Sequence, residues 1–291
     1  MSVPHQTGRV QSGDVSLHYR RLGTPGQTPM VFVHGLSYFS YDWLEAAQAL
    51  GAQREVACLD MRGFGDSDWS ASKDYGVPAM ARDIVSLLDH LGWRRAVLCG
   101  HSMGGRSTAY AAAKMPQRVA GLVLVDYSPD NAPAGSRRVA QAVAGVPDQF
   151  ASIDEAMRYF LLDPNSPRGR ARRERFEAYL KPAPGGFALK RDTHFRDQFR
   201  KIIETGERPK LGVDMWQVLT ELRCPTLVVR GARSDMFAVE TVAKAQAANA
   251  RIRVVEVDAG HDVAGENLHD FLAAVRPFLA ELQEKPHEQA A

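Results

Sequence analysis

The sequence predicts an α/β protein with a mostly parallel central sheet flanked by helices. Short apolar runs occur at residues 30–33, 56–59, 96–99 and 119–125, and runs of this kind are typical of strands buried on both faces. Helical patterns near residues 41–50 and 77–91 lie between them. Alternation of strands and helices favours parallel strands, because each helix returns the chain to the same edge of the sheet.

The alternation stops between residues 129 and 215, where helical pieces are expected at 153–162, 170–180 and 195–204 and no comparable strands are expected. It resumes at residue 226 and ends with a helix near 268–282. We therefore expect an α/β core in two parts, residues 1–128 and 216–291, with a helical lid of residues 129–215 inserted between them. A lid at the ligand-binding edge of a sheet excludes water and shapes the pocket. The alternative is an enlarged loop region.

The run Gly100-His101-Ser102-Met103-Gly104 matches the pattern G-x-S-x-G, which forms a sharp turn between a strand and a helix. An apolar run precedes it, and a helical pattern follows at residues 107–114. Glycines flank the serine because a side chain at either position would collide with neighbouring backbone. In this context Ser102 is predicted to be a nucleophile.

A serine hydroxyl needs a base to take its proton, and the base needs an orienting carboxylate. His261 follows a predicted strand at residues 251–257, and Asp235 follows another strand and a glycine turn. The pattern strand, glycine, loop and aspartate at this point fits the usual order serine, acid, histidine, and it favours Asp235 as the acid. Asp126 also ends a strand, and it remains the alternative acid.

A tetrahedral intermediate needs hydrogen-bond donors for its oxyanion. The predicted strand at residues 30–33 ends in His34-Gly35-Leu36, so the backbone N–H of Leu36 is one expected donor. The N–H of Met103, directly after the nucleophile, is the other.

These motifs resemble those of the α/β-hydrolase family, and in particular its lid-bearing members with a serine nucleophile, among them esterases, lactonases and hydrolases of C–C or amide bonds. The resemblance covers residues 10–128 and 216–285. It implies Ser102 as nucleophile, Asp235 as acid and His261 as base. The matching pieces are His34-Gly35, Asp60-x-Arg62-Gly63-x-Gly65-x-Ser67, Gly100-His101-Ser102-Met103-Gly104-Gly105, Gly231…Asp235 and Gly260-His261.

The expected activity is that of a serine hydrolase cleaving a small ester, lactone or amide through a Ser-His-Asp triad and an acyl-enzyme. One alternative is hydrolysis of a C–C bond in a dienone-type acid. Another is a slow-turnover or non-enzymatic ligand receptor of the same fold, because fold alone does not decide function. Relatives with an aspartate nucleophile, such as haloalkane dehalogenases and epoxide hydrolases, are disfavoured by Ser102. No cofactor and no metal are expected.

Several residues are candidates for substrate binding. Arg106 follows Ser102 by one helical turn and faces the same side. Tyr38, Tyr127 and Phe237 lie near the predicted pocket loops. The lid is also rich in arginine at residues 168–175 and 191–200, and arginine binds carboxylates bidentately. These features favour a substrate that bears a carboxylate.

Composition narrows the class further. The chain has 291 residues, a formal net charge of +2, 45% hydrophobic and 24% charged residues. This charge does not indicate nucleic-acid or membrane binding. No apolar run approaches the ~20 residues of a membrane span, and residues 1–10 do not resemble a signal peptide. We expect a cytoplasmic monomer or homodimer that binds a small-molecule substrate.

Overall fold

The computed structural model describes residues 3–207 and 211–284. Within these residues, eight strands form one sheet in the order β1-β2-β4-β3-β5-β6-β9-β10, and β7 and β8 form a separate hairpin. The strands are β1 (Gln6–Ser12), β2 (Val15–Gly23), β3 (Gln27–Val33), β4 (Arg54–Leu59), β5 (Ala96–His101), β6 (Val119–Val125), β7 (Leu180–Ala183), β8 (Gly186–Leu189), β9 (Thr226–Gly231) and β10 (Ile252–Val257).

The helices are α1 (Leu44–Leu50), α2 (Val77–His90), α3 (Met103–Lys114), α4 (Pro133–Ala144), α5 (Ile153–Tyr159), α6 (Pro167–Tyr179), α7 (Thr193–Thr205), α8 (Met215–Thr220), α9 (Glu240–Ala248), α10 (Val263–Glu266) and α11 (Leu268–Glu284). None of these helices is long and apolar enough to cross a membrane.

The predicted α/β class and the mostly parallel sheet are confirmed. From β4 to β10 every neighbouring pair in the large sheet is parallel, whereas β1 and β2 run antiparallel at one edge. Every residue of β6 is buried, as expected for a strand covered on both faces. One face packs against α2 and α3, and the other packs against α1 and α11.

The segment between β6 and β9 contains α4 to α8 and the hairpin of β7 and β8. No strands comparable to those of the large sheet are expected from the sequence in this segment, and this short hairpin is not anticipated. Both hairpin strands are only four residues long, and Pro182, Gly185 and Gly186 hide the strand pattern in the sequence. Apolar side chains of this segment form their own buried cluster, which includes Phe150 and Phe176 and which Phe39 joins from the loop after β3. The division into core and lid stays a prediction.

Candidate active site

Ser102 lies at the sharp turn between β5 and α3. Its backbone has φ 51° and ψ −114°, a conformation that non-glycine residues rarely adopt and that is costly outside functional sites. A Cβ atom at Gly100 would lie 2.4 Å from the Gly104 carbonyl oxygen, and one at Gly104 would lie 2.4 Å from the Val33 carbonyl oxygen. The flanking glycines therefore permit the close approach of α3 to β3 and β5 that lifts Ser102 from the sheet edge.

His261 contacts Asp126, which lies directly after β6. His261 Nδ1 is 2.6 Å from Asp126 Oδ2, and the Asp126 side chain is fully buried. A carboxylate only accepts hydrogen bonds, so Nδ1 carries the proton and Nε2 is left as the basic nitrogen. Two further groups fix the carboxylate, because the Gly231 N–H donates to Oδ1 at 2.9 Å and the Ser234 hydroxyl donates to Oδ2 at 2.5 Å.

Asp235, the favoured acid, does not form this contact, and the expectation is corrected on this point. Its two carboxylate oxygens accept hydrogen bonds from Arg138 of α4, at 2.6 and 2.7 Å. The Arg138 guanidinium holds the pKa of the Asp235 carboxyl below its ordinary value. The Asp235 carbonyl oxygen accepts from the Gly135 N–H at 3.0 Å, so the start of α4 and this loop are joined.

The two expected oxyanion donors, Leu36 and Met103, lie in two different segments next to the turn that carries Ser102. Leu36 lies in the loop after β3, Met103 is the first residue of α3, and both line one cavity together with Ser102 and His261. A Cβ atom at Gly35 would lie 3.2 Å from Ser102 Cβ, so the loop that carries Leu36 passes directly beside Ser102.

The cavity has a volume of about 850 Å³ and lies between the sheet edge and the segment that joins β6 to β9. Three of the expected substrate-binding residues, Arg106, Tyr38 and Tyr127, line it. Burial raises the pKa of Tyr38 and that of Tyr127 above their ordinary values, so both phenols stay protonated at neutral pH. Burial also lowers the pKa of Arg106, although the neighbouring Tyr127 acts in the opposite direction.

Phe237, the fourth expected contact, is not among the lining residues. Its side chain is 1% exposed and belongs to the core cluster beneath the sheet edge. The Arg230 guanidinium lies 5.9 Å from the centre of its ring, and Arg230 Nε donates to its carbonyl oxygen at 2.9 Å. These contacts turn the ring inward, and the preceding residue, Met236, lines the cavity in its place.

Several arginines of the segment between β6 and β9 are held by acidic residues. Arg173 pairs with Asp154, Arg175 pairs with Asp42, and Arg196 pairs with Asp148. The stretch 168–175 contributes no residue to the cavity lining, whereas Arg138 and Arg191 do line the cavity. The expectation that the stretch 168–175 faces the substrate is therefore wrong.

His101 is a residue whose position in the site was not anticipated. Its Nε2 lies 2.8 Å from the carbonyl oxygen of His261, and because a carbonyl only accepts, this nitrogen carries the proton. Its ring lies 4.7 Å from the His261 ring and makes an edge contact with Tyr38 at 5.1 Å. Burial, with the neighbouring His261 acting in the same direction, holds the pKa of His101 well below its ordinary value. The only available signal was its place next to Ser102 in the motif.

A group of potential metal ligands lies elsewhere, at His18, Asp60 and Asp66, whose ligand atoms are within 4.8 Å of one another. The Arg20 guanidinium lies among them, 3.4 Å from Asp60 and 3.7 Å from Asp66. A cation is thus already supplied by the protein, and we assign no metal there.

Comparison with known proteins agrees with this architecture. A family model described as alpha/beta hydrolase fold matches residues 28–268. The 3-hydroxybutyrate-oligomer hydrolase of Cupriavidus necator is 34% identical, over 90% of this chain and 93% of that protein. The N-formylmaleamate deformylase of Pseudomonas putida is 28% identical, over 94% of this chain and 96% of that protein. The crystal structure of an E-2-(acetamidomethylene)succinate hydrolase is similar with a TM-score of 0.82 and 26% identity, over 95% of this chain and all of that one.

Proposed function

The chain belongs to the α/β-hydrolase family, and on that premise we propose that it is a serine hydrolase that cleaves a small ester or amide by way of an acyl-enzyme. Relatives that cover 90% and 94% of the chain are hydrolases. The serine nucleophile, the triad and the bond cleaved are our proposals.

One observation carries the proposal. The buried Asp126 carboxylate holds His261 by Nδ1, and the same cavity is lined by His261 and by Ser102 on its strained turn. Strain of this kind persists where the surrounding structure enforces it, and such positions cluster at active sites. An oriented imidazole that shares a cavity with a half-buried serine is the pairing by which a base activates the hydroxyl oxygen for attack.

In the proposed mechanism, Ser102 Oγ attacks the substrate carbonyl carbon while His261 Nε2 accepts the hydroxyl proton. Asp126 keeps the imidazole in the required tautomer and stabilises the imidazolium that forms. The backbone N–H groups of Leu36 and Met103 stabilise the oxyanion of the tetrahedral intermediate. His261 then protonates the leaving alcohol or amine, and afterwards it activates the water that hydrolyses the acyl-enzyme.

The substrate is proposed to carry a carboxylate. Arg106 supports this, because its side chain lines the cavity one helical turn after Ser102. Two of the relatives point the same way by name, since N-formylmaleamate and 2-(acetamidomethylene)succinate are both acids. A C–C bond hydrolase would need the same triad, but no contact in the cavity favours it over ester or amide cleavage.

The proposal is tested with the full chain and a fluorophosphonate probe, followed by mass spectrometry of the labelled peptide, together with turnover of short p-nitrophenyl esters. We expect the label on Ser102, and we expect Ser102→Ala to lose both labelling and turnover, the latter by up to about a millionfold. A variant that keeps more than a tenth of the wild-type rate would exclude Ser102 as the nucleophile. Labelling of Ser102 without turnover of any ester or amide would instead favour the ligand-receptor alternative.

A further inference from the structure

The charged side chains that line the cavity are mostly neutralised by partners. Lys73 Nζ lies 2.8 Å from an Asp192 carboxylate oxygen. Arg138 pairs with Asp235 at 2.6 Å, and Asp130 pairs with Lys244 at 2.9 Å. Against this background, two cations of the cavity lining stand out because no carboxylate of residues 3–207 or 211–284 pairs with them. They are Arg106 and Arg191.

Arg106 belongs to α3 and lies on the side of the cavity formed by the loop after β6. Its titratable neighbour is the neutral phenol of Tyr127, whose buried hydroxyl has no hydrogen-bond partner in the described part of the chain. No hydrogen bond or ion pair involving the Arg106 guanidinium is formed with the described residues. Burial disfavours its charge, yet an arginine is not deprotonated at neutral pH. Arg106 is half-buried in the cavity wall, so its charge is partly removed from water without a counterion, and a bound anion would relieve that cost.

Arg191 lies between β8 and α7 and is only 6% exposed. Its side chain makes one long hydrogen bond, from Nη1 to the Ser37 hydroxyl at 3.4 Å. Its backbone is held by a bridge to Phe64, so the residue is fixed in place rather than free to turn to solvent. Its charge acts on the neighbouring Tyr179, another buried phenol whose hydroxyl has no partner within the described residues.

These two cations approach the nucleophile from different sides. In the sheet, β5 lies between β3 and β6, and Ser102 follows β5. Arg191 contacts Ser37 in the loop after β3, whereas Arg106 neighbours Tyr127 in the loop after β6. A ligand that neutralises both therefore has to carry two negative groups that reach opposite sides of Ser102.

We propose that Arg106 and Arg191 are two separate carboxylate-binding groups, and that the substrate class is a small ester or amide with two carboxylates. The inference rests on the proposed function for the cleaved bond, but it concerns binding and is testable without turnover. Each arginine offers a planar pair of N–H donors that matches a carboxylate. One such contact changes affinity by about ten- to a hundredfold.

The test uses full-length protein with the Ser102→Ala substitution, so that ligands bind without being cleaved. Isothermal titration calorimetry measures the affinities of succinate, glutarate, adipate and pimelate, each against its own monoamide. The monoamide keeps the length and one carboxylate but loses the second charge. We expect at least one dicarboxylate to bind ten times or more tightly than its monoamide.

Two variants in the same background then locate the two contacts. Arg106→Gln and Arg191→Gln should each remove most of the preference for the dicarboxylate. Arg168→Gln is the matched control, because Arg168 is exposed on α6 and does not line the cavity, and it should leave the preference unchanged. A thermal melt without ligand checks that each variant is folded. Should Arg191→Gln unfold, Arg191→Lys keeps the charge and should weaken dicarboxylate binding partially, because an ammonium group lacks the planar pair of N–H donors that matches a carboxylate.

The inference is overturned if no dicarboxylate is preferred over its monoamide, or if either arginine variant keeps the full preference while folded. Since the nucleophile is absent from every protein in this experiment, neither result depends on whether Ser102 is catalytic. Retained hydrolysis in Ser102→Ala would contradict the proposed function without affecting these binding measurements.

Discussion

His261 Nδ1 lies 2.6 Å from Asp126 Oδ2, although 135 positions separate the two residues in the chain. The contact joins the loop after β10 to the end of β6, two strands that are separated in the sheet by β9. The β9 end and its loop complete the arrangement, because Gly231 and Ser234 both donate to the same carboxylate. Asp126 is thereby satisfied on both oxygens while it orients the imidazole.

Replacement of Asp126 should be far more damaging than replacement of Asp235. Asp126→Asn presents an amide that does not select the Nδ1–H tautomer, and loss of a triad aspartate lowers kcat by about 10⁴-fold. Asp235→Asn weakens the contact with Arg138, which is half exposed, and we expect less than about a tenfold change in kcat. Steady-state kinetics of the two purified variants decide between them. The reverse order of the two defects would return the role of triad acid to Asp235.

The sequence was informative where a role depends on a short segment. The strained turn at Ser102 is predictable because the two glycines that it requires, Gly100 and Gly104, each lie two residues away. The positions of Leu36 and Met103 follow from the same local logic. In each case the position of the residue depends on the end of a strand and on the few residues that follow it. The sequence of that short segment is therefore enough to predict the position.

The choice between Asp126 and Asp235 was not determined locally, because both follow a buried strand. The two aspartates differ because Arg138 of α4 binds the Asp235 carboxylate. No helix is predicted from the sequence at α4. Phe237 was misjudged for the same reason, since its inward orientation depends on Arg230. Contacts between distant segments decide these cases, and a single sequence does not display them.

His101 should act as a positioning residue for the loop that carries His261. His101→Leu removes the hydrogen bond to the His261 carbonyl oxygen, and we expect kcat/KM to fall by about ten- to a hundredfold. His101→Gln retains a side-chain N–H donor and should recover part of that loss. Because the pKa of His101 is held far below its ordinary value, the imidazole stays neutral over the pH range of the kinetic measurements. The pH at half-maximal kcat/KM should therefore be unchanged in His101→Gln, and a shift of one unit or more would contradict this role.

Asp60 should stabilise the fold in a pH-dependent way. Burial acts to raise its pKa, but the hydrogen bond from His18 and the charge of Arg20 outweigh burial and hold the pKa well below its ordinary value. The carboxylate also accepts the N–H groups of Ser40 and Asp66, at 2.7 and 3.1 Å. Asp60→Asn removes the nearer carboxylate from the buried Arg20 and leaves Asp66, at 3.7 Å, as its remaining acidic partner, so we expect a loss of about 2–4 kcal/mol in the free energy of unfolding at pH 7.

The sign of this pH dependence follows from linkage. A carboxyl whose pKa is lower in the folded state contributes stability above its unfolded pKa of about 4, and that contribution is lost as the pH falls toward the folded pKa. Urea unfolding of the wild type and of Asp60→Asn between pH 7 and pH 3 gives the difference between their free energies of unfolding. We expect this difference to be constant above about pH 5 and to become smaller below about pH 4. A difference that widens on acidification would be inconsistent with a stabilising charged Asp60.

Gly104 should be required both for stability and for the position of the oxyanion donors. In most helices an exchange of glycine for alanine is stabilising, by about 0.5–1 kcal/mol. Here the added Cβ would lie 2.4 Å from the Val33 carbonyl oxygen and 2.6 Å from that of His34, both of them backbone atoms. We therefore expect Gly104→Ala to destabilise the protein by about 1–3 kcal/mol.

The added Cβ atom should also affect catalysis. It would push α3, which begins at Met103, away from the strand that leads to Leu36. Loss of an oxyanion contact acts on the transition state, so kcat should fall by about a hundredfold with little change in KM. Gly76→Ala is the matched control, since a Cβ there meets only the Asp74 side chain, at 3.2 Å, and the Pro78 ring, at 3.7 Å. Urea unfolding and steady-state kinetics of both variants provide the comparison. Equal stability and equal kcat for Gly104→Ala and the wild type would show that α3 and β3 do not depend on this close approach.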